Sequence, residues 1–153
     1  MMFDEIDMRL LAILQSDVSL SVEEMAERVG LTKTPCWRRI QKLEKSGVVL
    51  RKVALLDAHQ LDLGVSVFVQ VKTSEHNAKW LQSFSSVVAS FPEVVEFYRM
   101  SGEYDYLLRV VVGDIAAYDR FYKRFIEATS LTNVTSNFAM EQIKYSTELP
   151  LPT

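Results

Sequence analysis

The sequence predicts an α+β fold in two parts, an N-terminal winged helix-turn-helix and a C-terminal ferredoxin-like βαββαβ domain. Three observations carry this. Apolar residues recur at helical spacing up to Leu43, in three short runs separated by turn signals. The period changes to strict alternation at Val65, Val67, Val69 and Val71. From there strand and helix periods follow one another in the order βαββαβ.

From Asp4 to Leu14, residues Ile6, Leu10, Leu11, Ile13 and Leu14 share a stripe, and Asp4, Glu5 and Asp7 sit at the positive end of the dipole of this first helix. Ser21 followed by Glu24 is a capping box for a second helix, whose buried stripe is Val22, Met25, Ala26 and Val29 and which ends at Gly30. Thr32, Thr34 and Pro35 open a third helix, since a hydroxyl caps free N–H groups and proline is tolerated in a first turn. Cys36, Ile40 and Leu43 lie on one face of it, and Ser46-Gly47 stops it. Val48 to Leu56, rich in Val and Leu, predicts a strand or short hairpin, the wing. The first domain is therefore 1–56, the aperiodic stretch 57–64 is a linker, and 65–153 is the second domain.

In the second domain Val65 to Lys72 is a strand, and Trp80, Phe84, Val87 or Val88, and Phe91 form a helix stripe closed by Pro92. Val94 to Met100 and Tyr106 to Val112 are strands around the turn Ser101-Gly102-Glu103-Tyr104-Asp105. Asp114 caps a helix with Ile115, Tyr118, Tyr122 and Phe125 on one face, and Val134 to Tyr145 reads as a long last strand. These strands are apolar on both parities: Phe68, Phe97, Leu107 and Val111 on one, Val67, Val69, Tyr98, Leu108 and Val110 on the other. Both sheet faces then need cover. The simplest second cover is another copy of the chain related by a twofold axis, the alternative being a linker or tail laid over the strands.

Composition bounds the function. With 48% hydrophobic and 24% charged residues the chain has the make-up of a globular protein rather than a disordered one. Its opening is acidic where a signal peptide is basic, and no apolar run approaches the roughly 18 residues of a membrane span, so a cytoplasmic protein without a membrane partner is expected. One cysteine, Cys36, and two histidines, His59 and His76, exclude an internal disulfide and leave no zinc ligand set. Cys36 sits on a buried stripe and packs as a small hydrophobe instead of serving as a nucleophile. Neither a phosphate-binding glycine loop nor a carboxylate pair is present, with Glu93 and Glu96 reading as a solvated strand end, so no enzyme is expected.

The net charge of −3 hides an uneven distribution. Arg28, Lys33, Arg38, Arg39, Lys42, Lys45, Arg51 and Lys52 face the single acid Glu44 in their window, while the chain on either side is acidic. Such a patch suits contact with a phosphate backbone. If Cys36, Ile40 and Leu43 point inward, then Lys33, Thr34, Trp37, Arg38, Gln41 and Lys42 point outward, as on a helix that enters the major groove of double-stranded DNA. Arg38 and Thr34 are placed to read base edges, and Lys42, Lys45, Arg51 and Lys52 to orient on phosphates. Pro35, Trp37 and Arg39 complete the candidate DNA-binding set. Trp37 either stacks on DNA or is partly core.

A second candidate lies in the turn of the later hairpin. Gly102 lets the backbone bend so that N–H groups face a carboxylate, and Asp105 is placed to accept from an ammonium, so that one turn holds both ends of an amino acid. Alternatively Asp105 only bonds its own backbone.

Thr-Pro-Cys-Trp-Arg-Arg, Leu-Glu-Lys-Ser-Gly-Val-Val and Ser-Gly-Glu-Tyr-Asp-Tyr, in this order and spacing, resemble the Lrp/AsnC (feast/famine) regulators over essentially the whole chain. The resemblance implies a winged-helix DNA reader and a βαββαβ domain that dimerises sheet to sheet. It also implies dimers gathered into octamers or similar rings, with an amino-acid effector between dimers. It places the effector against Met100, Gly102, Glu103, Tyr104, Asp105 and Tyr106, with Thr135, Ser136 and Asn137 from the last strand. Val134 to Tyr145, Lys52 to Asp57 and Phe121 to Arg124 are further similar to a proteobacterial subgroup that controls cysteine detoxification. Cysteine, leucine and methionine are the effectors this suggests, with no other cofactor. Two rivals stand beside an amino-acid-responsive regulator: an effector-independent architectural DNA-binding protein of the same fold, and an enzyme on the second domain.

Overall fold

The computed structural model describes residues 2–152 and divides into two compact units. One comprises the chain up to Leu55 together with the segment from Lys144; the other is Leu56–Ile143. The sequence reading placed 65–153 in the second part, whereas the last residues group with the first. Gln15 holds Leu149 there through two hydrogen bonds, a contact without any periodicity to announce it.

In the first unit α1 (Glu5–Ser16), α2 (Val22–Val29) and α3 (Lys33–Ser46) enclose a core of Leu10, Leu14, Met25, Ala26, Val29, Cys36, Ile40 and Leu43. Reciprocal capping boxes start the first two helices: Asp4 with Asp7, and Ser21 with Glu24. Each satisfies backbone donors that a helix start leaves open. Gly30 ends α2 at φ 73°, a left-handed conformation that a residue without Cβ adopts at no steric cost, and so sets the tight turn into α3. The segment expected to form the wing makes no strand pairing among the described residues, and Leu50 in it is 87% exposed. Its Val and Leu content signalled a strand, but a strand requires a neighbour, and this segment has none among the described residues.

In the second unit β1 (Val65–Lys72), α4 (Ala78–Ala89), β2 (Val94–Arg99), β3 (Tyr106–Val112), α5 (Ile115–Ala128) and β4 (Asn133–Phe138) follow in chain order. The sheet is antiparallel with strand order β2-β3-β1-β4, the ferredoxin-like arrangement. Val67, Val69, Val71, Tyr106, Leu108, Val110 and Val112 point into a core closed by Phe84, Val88, Tyr118, Phe121 and Phe125 from the two helices. The aromatic rings meet edge-on or stacked, Phe84 on Phe97 at 5.6 Å and Phe121 on Phe125 at 5.6 Å. β4 ends at Phe138, well short of the Tyr145 expected from its composition, with the Ala139 N–H beyond it donating to the Ser66 carbonyl at 3.0 Å near the start of β1.

The registers correct the expected face assignment. Phe97 pairs with Leu108 and so joins the helix-covered side, and Tyr98 pairs with Leu107 and joins the other. An irregularity between Val94 and Glu96, together with the length of the turn after Arg99, fixes this parity. The uncovered face carries Phe68, Tyr98, Leu107 and Val111 among Ser66, Gln70, Glu96, Arg109 and Asn137. It is more polar than the parity reading implied. Glu93 is also not a solvated strand end: its Oε2 pairs with Arg124, whose guanidinium lies 5.5 Å from the Phe91 ring.

Phe121 fills the centre of this core with no exposed surface. Phe121→Ala is expected to destabilise the protein by about 3–5 kcal/mol through lost burial and the cavity left behind. Urea unfolding followed by Trp80 fluorescence measures it, and a loss below about 1 kcal/mol would contradict this packing.

Candidate nucleic-acid interface and effector turn

With Cys36, Ile40 and Leu43 buried, α3 turns two adjacent rows outward: Trp37 and Gln41, and Arg38, Lys42 and Lys45. These five residues line a shallow depression of about 360 Å³. Trp37 is 50% exposed, which makes it a surface platform rather than a core residue. Thr34 and Pro35 are exposed in the first turn, and the N-cap Thr32 makes no side-chain capping bond, so the expected hydroxyl cap is not formed there. Among the described residues Arg38, Lys42, Lys45 and Arg51 have no carboxylate partner within ion-pair distance. Lys33 pairs with Glu23 at 2.8 Å and Lys52 with Glu44 at 2.6 Å. The Lys33 pair is wholly exposed, hence weak and readily exchanged for a phosphate.

Arg39 lies off this surface. Its Nη1 donates to Asp4 Oδ1 at 2.9 Å, Asp4 Oδ2 at 2.7 Å and Asp7 Oδ1 at 3.0 Å, lashing the middle of α3 to the capping box of α1. A run of cations conceals the phase of this position: Arg39 is three residues after Cys36, beside the buried stripe, and so meets Asp4 and Asp7 of α1. The Asp7 backbone N–H and then Arg39 hold the Asp4 carboxyl below its ordinary value. Burial alone pushes the Cys36 thiol up, in keeping with a packing role.

The hairpin turn is closed by the Met100 N–H on the Asp105 carbonyl at 2.8 Å, and Gly102 takes φ 123°, where an L side chain is strained. Asp105 also joins this turn to the end of β1: its N–H donates to the Val71 carbonyl at 2.8 Å, and its Oδ2 accepts from the Thr73 N–H at 2.9 Å. Its Oδ1 has no hydrogen-bond partner among the described residues. Of the other expected contacts, Tyr104 meets Thr135 hydroxyl to hydroxyl at 3.4 Å, with Lys72 Nζ 5.8 Å from the tyrosine ring. Ser136 does not join them. It pairs with Val69, points to the helices and shares a hydrogen bond with the Tyr118 hydroxyl. Strand alternation forbids three consecutive residues from lining one side. The Asn137 side chain donates to the Phe68 carbonyl and to Gln70 Oε1 on the uncovered face.

Two depressions flank the turn. One, of about 250 Å³, takes Met100, Glu103, Tyr104 and Tyr106 with Gln70 and Leu107; the other, of about 300 Å³, takes Met100, Asp105 and Tyr106 with His76, Asn77 and Arg99. Gln70, His76, Asn77 and Arg99 were not legible as site residues. Asn77 alone had a local signal, since it caps α4 by accepting from the Trp80 N–H.

A cationic, indole-bearing third helix on a three-helix unit, followed by a small-molecule-sized turn site on a ferredoxin-like unit, defines a helix-turn-helix protein with an appended ligand domain. Residues 3–44 match the AsnC-type helix-turn-helix domain and residues 66–149 the Lrp/AsnC ligand binding domain. The chain belongs to the Lrp/AsnC family of transcriptional regulators. It is 52% identical over 151 residues, covering 98% of this chain and 99% of the other, to the DNA-binding transcriptional activator DecR of Escherichia coli. Its fold matches the crystal structure of an AsnC family transcriptional regulator from Agrobacterium tumefaciens with a TM-score of 0.94, at 59% identity and 97% coverage of both chains. A Neisseria meningitidis transcriptional regulator, solved as an L-Met complex, matches with a TM-score of 0.92 at 31% identity over 97% of each chain. These relatives are regulators rather than enzymes. Among the described residues no helix is long and apolar enough to cross a membrane.

Arg39→Ala is expected to lower the melting temperature while leaving the slope of log K against log salt for DNA unchanged, because the Arg39 guanidinium is already paired with Asp4 and Asp7. A slope reduced by about 1 would return it to the DNA surface. The Asp4 contribution is complete above its ordinary value of 3.8 and is lost as pH falls through the lower folded value. Asp4→Asn should therefore flatten the acid limb of the melting temperature against pH, and an unaltered limb would show that Asp4 is not what titrates.

Proposed function

We propose that this protein reads a specific sequence in double-stranded DNA through the outer face of α3, and that its DNA binding or assembly responds to a small amino acid such as cysteine, leucine or methionine. The observation that carries the reading is the pair of outward rows on α3, where the cations Arg38, Lys42 and Lys45 stand beside Trp37 without acidic partners among the described residues. Thr34, Pro35 and Arg38, near the helix start, lie where such helices meet base edges. Lys33, Lys42, Lys45, Arg51 and Lys52 supply phosphate contacts. Arg39 supports the helix from behind.

The effector contacts are Met100, Glu103, Tyr104, Asp105, Tyr106 and Thr135 around the bend at Gly102, with Asn137 two residues on along the same face of β4. The free Oδ1 of Asp105 takes the ammonium and the turn N–H groups take the carboxylate. The L-Met held by the Neisseria relative supports an amino acid as ligand of this domain. The uncovered sheet face is the surface on which two copies pair, dimers then gathering into octamers or similar rings in the cytoplasm. A second, effector-free architectural reading is favoured by one observation: half of the Asp105 carboxylate is already committed to Thr73.

Arg38→Ala is expected to relax base preference at one position, whereas Lys42→Ala weakens all sequences alike and lowers the salt slope by about 1. Equal effects of the two on every DNA sequence would sink this division. A thermal-shift screen against the twenty amino acids, repeated with DNA, is expected to show a selective rise for one or two of them. Asp105→Asn, which keeps an oxygen for the Thr73 N–H but loses the charge, should abolish that rise. A flat panel under both conditions selects the architectural reading.

A further inference from the structure

We infer that the C-terminal segment from Lys144 is a clasp gripped in cis by the DNA-reading unit, so that the chain after β4 is held non-covalently by the helix-turn-helix in addition to the covalent linker after Leu55. The inference is independent of any effector. Gln15, in the last turn of α1, presents its carboxamide to one residue of the segment: Nε2 donates to the Leu149 carbonyl at 2.9 Å, and the Leu149 N–H donates to Oε1 at 2.7 Å. This reciprocal pair satisfies both backbone groups of Leu149, as a neighbouring strand residue would.

The apolar surroundings are open, and Leu149 keeps 68% of its surface exposed, so the hydrogen-bonded pair is what defines the grip. Leu149 and Leu151 join Leu11, Leu14, Val18, Val48 and Val49 around a depression of about 240 Å³. The peptide is suited to docking, for in Glu148-Leu149-Pro150-Leu151-Pro152 each leucine precedes a proline. Proline fixes its own φ and holds the preceding residue extended, so little chain entropy is left to lose on binding. The match to the Lrp/AsnC ligand binding domain runs to residue 149, yet the residues from Lys144 group with the helices. The last residues of one homologous domain are thus held by the other, and only 139–143 separate β4 from the gripped segment.

Hydrogen exchange of the full-length protein tests the clasp. In the wild type the Leu149 amide should exchange about tenfold more slowly than in Gln15→Ala, the factor expected for a net hydrogen bond, with α4 and α5 amides unchanged as a control for folding. Gln15→Glu, which keeps the acceptor and loses the donor, should retain part of the protection. A chain ending at Ser146 should lose as much DNA affinity as Gln15→Ala, and combining the two changes should add nothing. Equal Leu149 exchange in wild type and Gln15→Ala would overturn the clasp, and unaltered DNA affinity in the shortened chain would overturn its coupling to the reader. To separate cis from trans, isotope-labelled wild type is co-refolded with a large excess of unlabelled Gln15→Ala. Protection retained in the labelled chain supports the cis grip; protection lost assigns the segment to a partner copy and overturns it.

Discussion

The packing of Cys36, Ile40 and Leu43 against α1 and α2 is the constraint on which the DNA-facing chemistry depends. A helix has only so many directions, and once these three residues are committed to the core the remaining positions have no choice of aspect. Trp37, Arg38, Gln41, Lys42 and Lys45 must then share one outward surface. Arg39 falls at the margin, close enough to α1 to be captured by its capping box, so that a cation in a cationic run becomes a strut. The same two aspartates that start α1 thereby tie α3 to it once core packing has set its rotation.

The second unit obeys the corresponding rule for strands. Alternation places Val67, Val69 and Val71 under the helices and leaves Ser66, Phe68 and Gln70 outside. It also decides β4, where Thr135 and Asn137 face out while Ser136 is drawn inward to Tyr118. Asp105 ties the turn to β1 through Thr73, while its Oδ1 has no hydrogen-bond partner among the described residues.

Local signals made much of this legible. The Ser21–Glu24 capping box, the left-handed stop at Gly30, the buried stripes and the βαββαβ order all involve residues within a turn or a strand of each other, where spacing alone fixes geometry, whereas the Asp4–Asp7 box was read only as acids at a helix start. The failures were contacts between distant residues. The Val48–Leu56 run has strand composition without a partner among the described residues; β4 stops at Phe138, short of Tyr145; the parity of Phe97 and Tyr98 depends on an irregularity beside Val95.

The sequence by itself determined which residues are apolar and at what period, and from this the elements, their order, the outward face of the third helix and the turn at Gly102. Tertiary structure alone decided that Arg39 belongs to Asp4 and Asp7, that Ser136 belongs to Tyr118, and that Leu149 belongs to Gln15. The physical reason is range. Periodicity reports the side of an element on which a residue lies, but a hydrogen bond requires two groups within about 3 Å, and for residues far apart in the chain only the assembled fold sets that distance.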